Sequence, residues 1–176
     1  MNKTTWTALC LAAALSLTGA TRVRAGTNDK WISTKATLSL LTSDGFSVKG
    51  ANVDTRDGNV VIHGIVSSEA DKERAEATVR KVAGVKSVKN LLQVVPGNQK
   101  EQVKFEDSVT KDRVEAELKA DRTLHNVKVA SVNNGVVLLK GKVHDLSTEL
   151  RATQTAYKVP GVQRVATEIE VEVPED

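Results

Sequence analysis

Two stretches decide how this chain reads: GNVVIHGIV at Gly58–Val66 and GVVLLKGKV at Gly135–Val143. In each, the leading glycine completes a dipeptide, Asp57-Gly58 or Asn134-Gly135, of the kind that tolerates the positive φ of a two-residue hairpin turn. Apolar residues then alternate, Val60, Ile62 and Val66 in one stretch and Val137, Leu139 and Val143 in the other, which is the period of a strand with a buried face. The matched glycines stand 77 positions apart, and the same offset pairs Gly64 with Gly141, Ala75 with Ala152, Val79 with Ala156, Val82 with Val159, Gly84 with Gly161, Leu92 with Ile169 and Val94 with Val171. Carried upstream without a gap, it pairs Leu41 with Leu118 and Asp44 with Asp121. A register this long predicts two copies of one fold.

Working outward, each copy predicts a helix first, over Lys30–Ser43 and Asp107–Asp121, with Trp31, Leu38 and Leu41, or Val114 and Leu118, at helical spacing. The hairpin follows. A second helix is opened by Ser68 with Asp71 three residues on, a capping-box pattern, or by Asp145 in the second copy. Its buried face is Ala75, Val79 and Val82, or Ala152, Ala156 and Val159, and it stops at Gly84 or Gly161. A last alternating strand covers 85–95 or 162–173. The expected class is α+β: two tandem α-β-β-α-β modules, each a three-stranded mixed sheet with two helices on one face, joined by a right-handed crossover. Six glycines, Gly58, Gly64, Gly84, Gly135, Gly141 and Gly161, mark its turns and close approaches. The modules are expected at 28–96 and 107–174, with the polar 97–106, opening after Pro96, as a linker.

The first 25 residues read as a cleavable export signal, because an apolar stretch of small residues after Lys3 is too short to span a bilayer. Cleavage is expected after Ala25, with Ala20 as the second site; Cys10 lies inside the apolar core, where a lipidated cysteine does not sit. Lys3, Arg22 and Arg24 leave with the signal and no acid does, so 25 basic residues become 22 against 22 acidic ones. The formal +3 of the whole chain is then no nucleic-acid footprint. Loss of Cys10 excludes disulfides and a thiol nucleophile.

The order of elements, the run Gly-x-Val-x-φ-x-Gly-x-Val in both stretches, and the later Gly-Val-x-x-Val in GVKSV (84–88) and GVQRV (161–165) resemble the BON domain, named for bacterial osmotically inducible periplasmic and nodulation proteins. The resemblance covers nearly all of the chain beyond the signal, twice. It implies a periplasmic, non-catalytic module contacting phospholipid surfaces or other envelope components, in places with chaperone-like behaviour and a role in osmotic stress. Glycines and apolar residues carry it, so it specifies a fold better than a ligand.

Catalytic signatures are poor. His63 is matched by Lys140, His125 and His144 occur in the second copy alone, and no pair has metal-ligand spacing. No phosphate-binding loop or nucleotide fingerprint occurs, and no cofactor is expected. Charge, in contrast, is uneven: residues 26–100 hold 11 basic and 8 acidic side chains, residues 101–176 hold 11 and 14. Arg80, Lys81, Lys86 and Lys89 follow one another with no acid between them, a set able to meet anionic headgroups, or simply to complement the end of a helix. Lys30, Trp31 and Lys35 on the first helix form a second candidate contact, or a core tryptophan with solvated lysines. The sheet face away from the helices is expected to show Val61, Ile65, Leu91 and Val95 in the first copy, and Leu138, Lys140, Lys142, Glu168, Glu170 and Glu172 in the second. Such an apolar face needs cover, from the other copy or from a partner. The expected partners are anionic phospholipid or envelope proteins.

Overall fold

The computed structural model describes residues 25–43 and 50–172. Residues 1–24, with the expected signal core and Ala20, lie outside them. Two modules follow each other: α1 (Ala25–Leu41), β1 (Ala51–Arg56), β2 (Asn59–Val66), α2 (Glu69–Arg80) and β3 (Ser87–Val94), then α3 (Lys100–Ala120), β4 (Val127–Asn133), β5 (Val136–Val143), α4 (Leu146–Tyr157) and β6 (Arg164–Val171). Each makes one three-stranded sheet, ordered β1-β2-β3 and β4-β5-β6. The hairpin pair is antiparallel and the pair joined by the crossover helix is parallel. Among the described residues no helix is long and apolar enough to cross a membrane.

Local chemistry explains these boundaries. The hairpin turns have both central residues at positive φ, Asp57 at 50° with Gly58 at 80°, and Asn134 at 47° with Gly135 at 72°. Each turn is braced from the first helix of its module. Asp29 accepts from the amides of Asp57 (2.7 Å) and Gly58 (3.0 Å), and Asp107 accepts from those of Asn134 (2.7 Å) and Gly135 (2.9 Å). Ser68 caps α2 by accepting from the Asp71 amide, and Asp145 caps α4 by accepting from the Thr148 amide, as their positions predict. Both helices stop sooner than predicted. α2 ends at Arg80, and Gly84, at φ +98°, turns the chain after two further tight turns.

The repeat is not ungapped upstream of the hairpins. The braces align Asp29 with Asp107, and the buried positions of α1, Ile32, Ala36 and Leu40, fall in step with Thr110, Val114 and Leu118, one residue off the register found downstream. At the first strand Ala51 and Val127 hold equivalent places opposite Gly64 and Gly141. A bulge at Ala130, between Val129 and Ser131, then restores the offset of the hairpin. The partner of Leu118 is therefore Leu40, not Leu41. The expected buried face of α1 is corrected with it: Trp31, Leu38 and Leu41 are exposed, at 60%, 58% and 65%. The segment 97–106 between the modules is largely helical: a 3-10 turn at Gly97–Gln99 leads straight into α3 at Lys100.

α1 and α2 cover one face of the first sheet, their Ile32, Ala36, Leu40, Ala75 and Val79 packing on Val60, Ile62, Val66 and Leu92. α3 and α4 do the same on the second, with Val114, Leu118, Ala152 and Ala156 on Val137, Leu139 and Val143. The uncovered sheet faces meet each other. Val61 and Leu91 of the first sheet pack with Leu138 and Ala166 of the second, joined by Ala130 at the bulge. The order of layers is helices, sheet, sheet, helices, so each helical layer has its outer side to solvent.

Candidate functional site

The outer side of the first helical layer carries the strongest surface feature. Trp31, Lys35 and Leu38 lie four and three residues apart and therefore share a face of α1, which Leu41 extends by another turn. Packing does not explain their exposure, because Ile32, Ala36 and Leu40 already supply the core-facing stripe. The Lys35 ammonium stands 5.7 Å from the centre of the Trp31 ring, and it donates to the Ala83 carbonyl (3.0 Å) just beyond α2. Lys35, Leu38 and Ser39 of α1, with Thr42 just after it, border one groove with Thr78 of α2 and its cap Lys81. An apolar ridge, an indole and two ammonium groups thus share one side of the molecule, and Lys30, one residue before the indole, is exposed as well.

The four basic residues that run together in the sequence do not form one patch. Lys81 caps α2 and borders the α1 groove. Arg80 is held by Glu76 from the preceding turn, at 3.1 and 2.6 Å. Lys86 lies along the hairpin turn, its aliphatic stem beneath Gly58. Lys89 alternates onto the face of Val61 and Leu91, towards the second module, where its charge acts on Glu168. Helix and strand periods disperse what sequence adjacency suggests.

Val61 and Leu91 lie in the contact between sheets; Ile65 and Val95 are also buried. Next to that contact is a polar cleft of about 410 Å³ bordered by Asn52, Asp54, His63, Ala130, Ser131 and Lys140 among others. Asp54 accepts from His63 Nε2 at 2.9 Å and pairs with Lys140 of the other module. Arg56 pairs with Glu170 across the same junction, and Lys142 with Glu170 at 2.9 Å. The hydrogen bond from His63, helped by Lys140, holds the Asp54 carboxyl down to about 2 in spite of partial burial. Burial pushes Glu168 the other way, above the usual carboxylate range, only partly offset by Lys140.

Charged groups from both modules converge there. Ser131 Oγ and His63 Nδ1 are both buried without a hydrogen-bond partner among the described residues, so Ser131 is not bonded to the imidazole as a nucleophile is to its base. Among the described residues no set of His, Cys, Asp and Glu could hold a metal ion. His125 bonds the Arg122 carbonyl (2.9 Å) and His144 pairs with Glu172 (3.1 Å) at the surface.

Two features escaped sequence reasoning. The convergence of His63 and Lys140 on Asp54 depends on how the sheets dock, for which no spacing signal exists. The outer side of α4, in contrast, was readable: Leu146, Leu150 and Tyr157 are exposed, and they replace Glu69, Glu73 and Arg80 of the first copy in the repeat register.

Comparisons with known proteins agree with this architecture. The family model described as "BON domain" matches twice, at residues 28–96 and 106–173. "Osmotically-inducible protein Y" of Escherichia coli (strain K12) is 30% identical over 145 residues, covering 81% of this chain and 72% of that protein. Two solved structures of CdsD, a structural protein of the type III secretion system of Chlamydia trachomatis, are similar at 16% and 17% identity and TM-scores of 0.34 and 0.35. They cover 82% and 84% of this chain and 67% and 65% of theirs. With the α-β-β-α-β order present twice and both copies matched, the chain belongs to the BON domain family as two tandem BON domains.

Proposed function

We propose that the protein is a non-enzymatic periplasmic protein that binds anionic phospholipid surfaces peripherally and supports the envelope under osmotic stress. The observation that carries this reading is the outer face of α1, where Trp31, Leu38 and Leu41 stand in solvent beside Lys35 and Lys81. An indole suits the headgroup boundary, leucines suit the acyl edge, and each lysine near an anionic surface adds about 1 kcal/mol. Such contacts are weak and reversible singly, which fits a peripheral protein. The export-signal reading of residues 1–25 supports the compartment, and the name of the Escherichia coli relative supports the stress. A second reading, a chaperone or adaptor for other envelope proteins, is favoured by the exposed Leu146, Leu150 and Tyr157 on the opposite layer.

Trp31 is the sole tryptophan after residue 25, so its fluorescence reports the contact directly. With vesicles containing phosphatidylglycerol at low salt, the protein is expected to pellet and its emission to shift to shorter wavelength. Both effects should vanish in about 1 M salt, where screening reaches about 3 Å, and pelleting should vanish in a Trp31→Ala, Leu38→Ser, Lys81→Glu variant. Absence of pelleting with anionic vesicles at low salt would discard the membrane reading.

A further inference from the structure

Domain two carries a second feature, independent of the α1 face, where α3 runs beside the outer strand β4. Between them is a cavity of about 300 Å³ whose floor is apolar: Leu118 from the end of α3, Leu124, and Val127 and Val129 from β4. Its rim is Glu115, Lys119, His125 and Lys128. The two lysines outnumber the one carboxylate, and Glu115 is itself engaged by Lys119 at 3.5 Å and Lys111 at 3.9 Å. This is a cationic rim on the more acidic of the two modules, whose residues 101–176 hold 14 acids against 11 bases.

β4 has a second property that matters here. It is an edge strand, paired with β5 on one side only, and among the described residues no other backbone hydrogen bond reaches it. The bulge at Ala130 divides it. Beyond the bulge, Ala130 joins the contact between sheets and Ser131 borders the cleft between modules. Before the bulge, Val127–Val129 runs alongside the cavity. A free strand edge next to an apolar hole flanked by a helix has what an added strand needs: backbone groups to pair with, and a place for one side chain.

We propose that this groove binds an extended peptide segment of another protein, pairing with Val127–Val129 as an added strand, placing an apolar side chain over Leu118 and Leu124, and presenting carboxylates to Lys119 and Lys128. The rim selects acidic neighbours by charge. The unpaired strand edge favours a peptide over a lipid chain, which offers nothing to hydrogen-bond it.

The test is amide NMR on the purified protein, titrated with a capped hexapeptide alternating valine and glutamate. Saturable shifts are expected at Val127–Val129, Leu118, Lys119 and Leu124. The exposed double change Lys119→Glu, Lys128→Glu should weaken binding about tenfold or more, and N-methylation of the peptide backbone should abolish it. The proposal is overturned if millimolar peptide shifts nothing in the groove, if a valine-lysine peptide binds as well, or if N-methylation is harmless. Sodium dodecanoate saturating the same amides while the peptide does not would make this an acyl-chain site instead. Since these residues lie outside the α1 face, failure here leaves vesicle binding untouched, and failure of vesicle binding leaves this result standing.

Discussion

His63 and Lys140 hold equivalent places in the two copies, and both reach the carboxylate of Asp54, His63 from the neighbouring strand of the same sheet and Lys140 across the junction of the sheets. Val61 and Leu138, equivalent in the same register, also meet in the apolar contact. The copies therefore dock nearly back to back, with like positions close to the axis that relates them. Asp54 is replaced in the second copy by Ser131, so the equivalent His63 and Lys140 share a single carboxylate.

That asymmetry predicts acid sensitivity with a defined sign. The Asp54 carboxyl is lowered from 3.8 to about 2. Its contribution is therefore whole above about pH 4 and is lost as pH falls through the folded value near 2. Glu168, raised by burial, works against this, because its protonation on acidification relieves the folded state. Asp54→Asn should lower stability by about 1 kcal/mol at pH 7, the pair being partly exposed, and should flatten the loss of stability between pH 4 and pH 2. Urea unfolding of both proteins across that range measures it; an unchanged acid limb would assign the sensitivity elsewhere.

The braces under the hairpin turns predict a local loss. Asp107 is 7% exposed and satisfies two turn amides, which Asp107→Ala leaves without an acceptor. Destabilisation of domain two by about 2 kcal/mol is expected, with Asp107→Asn recovering part of it. Thermal unfolding of the three proteins is the measurement, and an Asp107→Ala protein as stable as its parent would show the turns to be self-sufficient.

Gly64 predicts a larger one. It sits at φ +132°, and a side chain there would overlap the carbonyl oxygen of Gly50 just before the neighbouring strand, backbone that cannot step aside. Gly64→Ala should cost about 3 kcal/mol or more, whereas Gly97→Ala, with open space around it, should be close to neutral. Comparable unfolding midpoints for the two variants would mean the strands separate easily at Gly50.

The contact between modules is small on its apolar side, which predicts that one charge opens it. Leu138→Lys puts an ammonium among Val61, Leu91 and Ala166. The radius of gyration from X-ray scattering should rise while helix and strand content by circular dichroism stays, since neither module core contains Leu138. Vesicle binding through Trp31 should persist, because Trp31, Leu38 and Leu41 are exposed and take no part in the apolar contact between the sheets. A fall in secondary structure instead would show that the modules fold only together.

Periodicity and turn chemistry by themselves determined the modules: the alternation around Ile62 and Leu139, the Asp57-Gly58 and Asn134-Gly135 turns, and the caps at Ser68 and Asp145 act over a few residues and leave their mark in the order of residue types. Helix facing was legible only where one apolar stripe existed. α1 has two, and only packing chose Ile32, Ala36 and Leu40 for the core, leaving Trp31, Leu38 and Leu41 as the candidate contact surface. The dispersal of Arg80, Lys81, Lys86 and Lys89, the bulge at Ala130 and the meeting of His63 with Lys140 belong to the tertiary structure. Each depends on which strand face or which module a residue is turned towards, and that is decided by contacts between segments far apart in the chain, which local sequence does not encode.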